Sequence, residues 1–149
     1  MPHDAPPTLA VPRTDAEILA TFEVMQELRP HLVRERYLED IHRLMAAERY
    51  QLLVLHDAAG PAAVAGYRVM EMLYCGRILS IDDLVTAGRA RSRGFGARLL
   101  AELRAIARRE GCGEIHLDSR LHRHDAHRFY AREGFDRTCY HFAAPVPAT

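Results

Sequence analysis

The sequence contains no lysine, no asparagine and no tryptophan, and all 20 of its basic side chains are arginine. Lysine and asparagine have A/T-rich codons, so a GC-rich genome accounts for their absence without selection for arginine chemistry. The loss is chemical all the same. With no amine side chain, there is no Schiff-base lysine, no P-loop lysine and no lysine general base. An excess of either charge is also missing, with 20 basic against 20 acidic residues and a pI near 7.1. That balance removes the whole-chain electrostatic basis for a nucleic-acid or membrane binder, and neither partner is expected. No apolar run approaches the ~20 residues of a membrane span, and the first dozen residues lack a signal-peptide core. Cysteine is scarce: Cys75, Cys112 and Cys139 fit no metal or redox spacing and read as reduced thiols. What remains is a chain of 149 residues, 48% hydrophobic, the length of one ordinary domain. Such a chain should bury roughly 70% of its unfolded surface. A cytoplasmic location is expected.

Residues 1–12 carry four prolines and are expected to form either a flexible tail or a short first strand near Leu9–Val11. Thr14 and Glu17 form a capping-box pattern that opens a helix with Ile18, Phe22, Met25 and Leu28 on its apolar stripe, closed by Pro30. A second helix turns Leu38, Ile41, Leu44 and Met45 inward. Three strands should follow as an antiparallel meander: Gln51–Asp57, Ala62–Leu73 and Arg77–Thr86. The period then changes, and Leu99, Leu103 and Ile106 mark a helix from near Gly94 to Gly111. Glu114–Ser119 reads as a buried strand, parallel to the one before the helix because a helical crossover joins them. A last helix is expected over Arg123–Glu133, ended by Gly134, with a closing strand at Thr138–Phe142. The order is ααβββαβαβ, an α/β fold with a mixed sheet and helices on both faces. The principal domain is read as residues 13–143, with residues 144–149 as a C-terminal tail.

The most informative segment is Arg91-Ser92-Arg93-Gly94-Phe95-Gly96, which lies between a strand and a helix. Gly94 and Gly96 let the backbone bend close to a ligand, with the N–H groups of a helix N-terminus facing an anion. From Arg89 to Glu110 the chain holds seven arginines against two glutamates, a local excess of +5 on a molecule of net zero. Arg89, Arg91 and Arg93 stand at the mouth of this turn, placed to pair with phosphate. No third glycine and no ribose-binding acid follow at dinucleotide spacing, and the missing lysine excludes a Walker loop.

These residues resemble the GNAT superfamily of N-acetyltransferases. Its acetyl-CoA signature, R/Q-x-x-G-x-G/A, is matched by Arg91, Gly94 and Gly96, and Asp82-Asp83-Leu84-Val85-Thr86 looks like the fourth strand of that fold. A second signature, A-x-x-F-Y-x-x-x-G-F, is matched by Ala126, Phe129, Tyr130, Gly134 and Phe135. The motifs together cover Arg77 to Phe135. The sequence departs from the family pattern at Arg123, where many members have an asparagine, so an asparagine contact to pantetheine is not carried over. Arg123 either reaches a phosphate or an acidic acceptor, or simply starts the helix.

The resemblance implies a single-domain GNAT-like fold, mostly antiparallel, with splayed parallel fourth and fifth strands. It also implies an enzyme that takes acetyl-CoA as donor substrate; a bacterial, cytoplasmic protein without a metal is expected. Pantetheine would pair with the backbone of Leu84, Val85 and Thr86, and a Val85 N–H would polarise the thioester carbonyl. The pyrophosphate would meet Arg91, Ser92, Arg93, Gly94, Phe95, Gly96 and Ala97, with Arg123 and Ala126 also on the donor side. Tyr130 matches the tyrosine that protonates the departing thiolate. A Glu-Asp pair stands at the place of Asp82 and Asp83 in the related spermidine/spermine acetyltransferases. By that likeness Asp82 is the candidate base and Asp83 an orienting or amine-binding acid. On a regular strand the two acids point to opposite faces. Their alternative reading is structural, one capping a loop and the other binding an arginine.

His122, His124 and His127, with His116 and Asp118 nearby, invite a zinc reading, since His124 and His127 are at i, i+3 on a helix. The bland reading is solvent-facing histidine in an Arg/His-rich stretch, and no metal is expected. His127 shares a helix face with Arg123 and Tyr130 and could line an acceptor pocket or assist proton transfer. Glu23, Glu27, Glu35 and Glu39 offer either an acidic wall for a cationic amine or solvated faces. The leading expectation is acetyl transfer to the primary amine of a small molecule or peptide, by direct attack in a ternary complex. The competing one is a non-catalytic CoA- or acyl-CoA-binding sensor or subunit. A homodimer through the last strand stays open.

Overall fold

The structure is a computed structural model that describes residues 5–149; the first four residues of the expected tail lie outside them. Contacts divide the chain into two units, residues 1–117 and 118–149.

In the first unit β1 (Thr8–Ala10) leads to two short helices, α1 (Asp15–Leu19) and α2 (Phe22–Leu28), and a longer one, α3 (Arg34–Glu48). Thr14 is extended and its hydroxyl accepts the Glu17 N–H, while Glu17 reaches back to the Arg13 N–H, so the capping signal is used. The single helix expected up to Pro30 is interrupted at Ala20–Thr21. The buried Thr21 hydroxyl bonds back to the Ile18 carbonyl and also meets the Tyr37 hydroxyl at 2.7 Å. A side chain that competes for a helix carbonyl in this way favours a break.

The helix α3 ends with Arg49 in the left-handed region, and the Tyr50 N–H returns to the Leu44 carbonyl. This reversal turns Tyr50 into the core, where it is 4% exposed. The meander follows as β2 (Gln51–Asp57), β3 (Gly60–Met72) and β4 (Gly76–Thr86), close to the expected bounds. A 3-10 turn at Gly88–Ala90, helix α4 (Phe95–Arg109) and strand β5 (Glu114–Leu117) complete the unit. The five strands are ordered β1-β2-β3-β4-β5, antiparallel except for the parallel β4–β5 pair. The helical crossover therefore acts as the sequence indicated.

Leu52, Val54, Val64 and Val85 pack with Ile18, Phe22, Met25, Tyr37 and Ile41 of the first three helices. Strand alternation sends Leu53, Leu55, Ala63 and Ala65 to the other face. That face is covered by Phe95, Leu99, Leu100 and Leu103 of α4, all buried. Helices thus cover both faces of the sheet.

The second unit holds α5 (His124–Arg132), one residue shorter at each end than the expected helix. Gly134 follows at φ 88°. The closing strand expected at Thr138–Phe142 does not form: these residues have no strand partner, and Tyr140 and Phe142 stand in solvent. Alternating apolar character is only half of a strand; the other half is a neighbouring backbone to bond. Among the described residues no helix is long and apolar enough to cross a membrane.

Candidate active site

The strand β4 has two halves. Ile78–Ile81 pairs with β5 on one side and β3 on the other, whereas Leu84, Val85 and Thr86 pair only with Ala65, Val64 and Ala63 of β3. The second half therefore keeps one edge of backbone donors and acceptors clear of β5, as strands that splay apart require.

Asp82 sits at the division. Gly66 pairs with Asp83 and Tyr67 with Ile81, so Asp82 is an extra residue, a β-bulge. The bulge corrects the expectation that the two acids face opposite ways, because Asp82 and Asp83 line one cavity of about 270 Å³ with Leu44, Glu48, Tyr50 and Arg68. The Arg68 guanidinium donates to both Asp82 oxygens, at 2.6 and 3.1 Å, and approaches Glu48 at 3.7 Å. Asp83 accepts from Arg29 Nε at 2.9 Å and from the Tyr50 hydroxyl at 2.7 Å. Arg29, at the C-terminal cap of α2, also donates to the Asp82 carbonyl. Both acids therefore bind an arginine, one more than the structural alternative for this pair allowed.

Tyr50 was not legible as a site residue. Burial, with the Asp83 charge beside it, pushes its phenol well above the ordinary range, so it remains a donor at neutral pH. Room for the ring comes from Gly66: a Cβ there would lie 1.8 Å from the Tyr50 hydroxyl oxygen. A glycine inside a strand marks such a close approach, and this was the one signal available.

The glycine turn lies after β4. Ser92 and Gly94 both have positive φ, 63° and 77°, and Gly94 is the N-cap of α4 with no side-chain cap. The first helical bond runs from the Arg98 N–H to the Gly94 carbonyl. The amides of Phe95, Gly96 and Ala97 thus precede the ladder, as at any helix N-terminus. Among the described residues nothing lies within 4 Å of where a Gly94 Cβ would stand, so the turn is open to them on that side.

The three arginines at its mouth are not equivalent. Arg89 is bidentate to Asp57 at 2.7 and 3.1 Å, and Arg93 bonds the same carboxylate at 3.0 Å while stacking over the Phe95 ring. The Arg89 hydrogen bond, with help from the Ala59 N–H and Arg93, lowers the Asp57 pKa to about 2. Exposed Arg91 has no such partner among the described residues. Asp57, the last residue of β2, thus offsets one positive charge at the mouth while holding two of its arginines; sequence reasoning missed it because the meander brings it to Arg89 from far along the chain.

A second cavity, of about 390 Å³, is lined by Glu23, Glu27 and Arg89 among others. Glu27 accepts the Gly88 N–H with both oxygens and Glu23 pairs with Arg34. Glu35 and Glu39 line neither cavity.

Within the second unit, Arg123 is the N-cap of α5 without a side-chain cap bond, and Ala126 and Tyr130 lie on the helix. The Tyr130 ring packs against Phe129 and, edge-on, against Phe135. Burial raises the Tyr130 pKa, and the Arg123 charge opposes it. The phenol is therefore protonated at neutral pH. His127 bonds the Arg120 carbonyl at 2.8 Å, and the His124 and His127 rings meet at 80°.

A family model described as the acetyltransferase (GNAT) family matches residues 17–135. An uncharacterized N-acetyltransferase of Bacillus subtilis, YhdJ, is 37% identical over 127 residues, 85% of this chain and 89% of its own length. Glucosamine 6-phosphate N-acetyltransferase 1 of Oryza sativa is 32% identical over 111 residues, 71% of this chain and 66% of the relative. The solved structure of an aminoglycoside N-acetyltransferase in complex with CoA superposes with a TM-score of 0.85 over 99% of both chains, at 13% identity, and so shares the fold. The protein belongs to the acetyltransferase (GNAT) family and is an acetyl-CoA-dependent N-acetyltransferase.

Proposed function

We propose that this acetyltransferase moves the acetyl group directly to the primary amine of a cationic small molecule, or of a peptide, held in the Asp82–Asp83 cavity. The observation that carries this reading is the bulge, which sets two acids in one cavity where β4 parts from β5. With Glu48, three carboxylates line the cavity; Arg68 pairs with Asp82 and Glu48, and Arg29 bonds Asp83. Arg68 donates to each Asp82 oxygen and the Ser80 hydroxyl also donates to Oδ1, so Oδ2 keeps a lone pair for a substrate ammonium.

The chain's own residues suit acetyl-CoA as donor substrate. The open turn at Ser92–Gly94 and the first amides of α4 fit a pyrophosphate, with Arg91, which has no ion-pair partner among the described residues, as a cation to meet it. The β5-free edge of Leu84, Val85 and Thr86 fits the amides of pantetheine, with a Val85 N–H for the thioester carbonyl. The family resemblance adds Arg123 and Ala126 to the residues proposed for the donor. An alkylamine must lose its proton before it attacks. Since Arg29 and Arg68 engage the acids, Asp82 serves the base side by holding the ammonium while water carries the proton away, and Asp83 orients it. Tyr130, a protonated phenol, donates to the thiolate as it leaves.

We place the reaction in the cytoplasm, where three thiols stay reduced. A homodimer is supported by the exposed Tyr140, Phe142 and Val146 and by the edge position of β5. Light scattering should give twice the chain mass, and a Phe142→Asp variant should be monomeric.

Calorimetric titration with acetyl-CoA and dephospho-CoA tests the donor side. The reading expects micromolar binding, weakened when the 3′-phosphate is lost. No binding at millimolar ligand would remove it, and binding without turnover on any amine would favour the sensor.

A further inference from the structure

At the opposite end of β4 from the glycine turn, three side chains of different chemistry converge. Cys75 lies in the turn between β3 and β4, and Glu114 and His116 stand at i, i+2 on β5, on one face of the strand. The Cys75 sulfur, a Glu114 carboxylate oxygen and a His116 ring nitrogen all lie within 4.8 Å of one another. The Glu114–His116 separation is 3.7 Å. Around a tetrahedral zinc ion with bonds of about 2.0–2.3 Å, neighbouring ligand atoms stand about 3.3–3.6 Å apart. Small side-chain rotations close the difference.

We propose that Cys75, Glu114 and His116 bind a divalent zinc ion, with solvent in the fourth position. The donor set decides the metal class: a thiolate and an imidazole disfavour magnesium and calcium, which take oxygen, and suit zinc. Charge agrees, because a thiolate and a carboxylate neutralise a dication; binding sends the thiol proton to solvent. The cation at the start of β4 does not compete, since Arg77 is held by the Glu110 carbonyl and carboxylate and by Glu71. Cys75 and His116 are half-buried, and the Tyr74 ring lies beside His116. The ion clips the β3–β4 turn to β5, a four-residue edge strand that among the described residues pairs with β4 alone. None of the three side chains lines the Asp82–Asp83 cavity, so neither proposal depends on the other. The histidines that invited a metal reading, His122, His124 and His127, are not part of it.

Cobalt titration of the reduced, metal-free full chain is the test. One equivalent should bring up the near-ultraviolet band of a cobalt–thiolate, and zinc should bleach it. The band should vanish in Cys75→Ser and survive in a Cys112→Ser/Cys139→Ser variant. His116→Ala should weaken zinc at least about tenfold. Zinc should raise the melting temperature of the wild type but not of Cys75→Ser, with acetyl-CoA affinity unchanged in both. No band in the wild type, or a band that survives in both Cys75→Ser and His116→Ala, would overturn the proposal.

Discussion

The Tyr50 hydroxyl donates to Asp83 at 2.7 Å across the bare backbone of Gly66, where a Cβ would lie 1.8 Å from the phenol oxygen. This contact joins the end of α3 to the bulged strand of the proposed site. A hydrogen bond to a charged group contributes about 1.5–3 kcal/mol, so Tyr50→Phe should destabilise by about that amount in chemical denaturation. Gly66→Ala should displace the ring, lowering both stability and turnover. A neutral Gly66→Ala would show that the close approach is unimportant.

Asp82→Asn keeps the shape of the cavity and removes one charge. If the cavity holds a cationic acceptor, kcat/KM for that amine should fall about 10- to 100-fold, chiefly through KM, as expected for one charge-assisted bond. Acetyl-CoA affinity should not change. Initial rates against amine concentration decide this; a loss confined to kcat would assign Asp82 to the chemistry instead.

Tyr130→Phe removes only the proposed acid. Turnover should drop about 10²- to 10⁴-fold with donor binding intact. Because burial raises the Tyr130 pKa, the alkaline limb of the wild-type profile should lie above the ordinary phenol value of about 10. Rates measured from pH 6 upward, to about the phenol value of 10 and beyond, test both points.

Asp57 ties Arg89 and Arg93 and has its pKa lowered from 3.8 to about 2. A depressed carboxyl pKa stabilises the fold above the unfolded value, and the contribution disappears as pH falls through the folded value. Asp57→Asn should therefore melt below the wild type at pH 6, with the gap closing between about pH 4 and pH 2. A gap that persists at the acid end would show that the ion pairs are not its source.

The regular parts of the molecule were readable because periodicity and local signals agree there. Gln51–Asp57 is a strand as its apolar run indicates, and Thr14 with Glu17 caps the first helix as its spacing indicates. Strand order and direction were readable too, but side-chain contacts and exact register between distant segments were not. The bulge at Asp82 follows from how β3 registers against β4, and Asp57 reaches Arg89 only once the meander has closed. Thr138–Phe142 has the alternation of a strand yet forms none, because pairing depends on a neighbour that no local pattern specifies.

The central claim is direct acetyl transfer to an amine held beside Asp82 and Asp83, and thiol release measured across a panel of primary amines tests it most directly. With acetyl-CoA and a cationic amine, release should depend on both concentrations, with intersecting reciprocal plots, and should fall for anionic amines and in Asp82→Asn. Release that ignores the amine, or parallel plots with an acetylated enzyme, would contradict it.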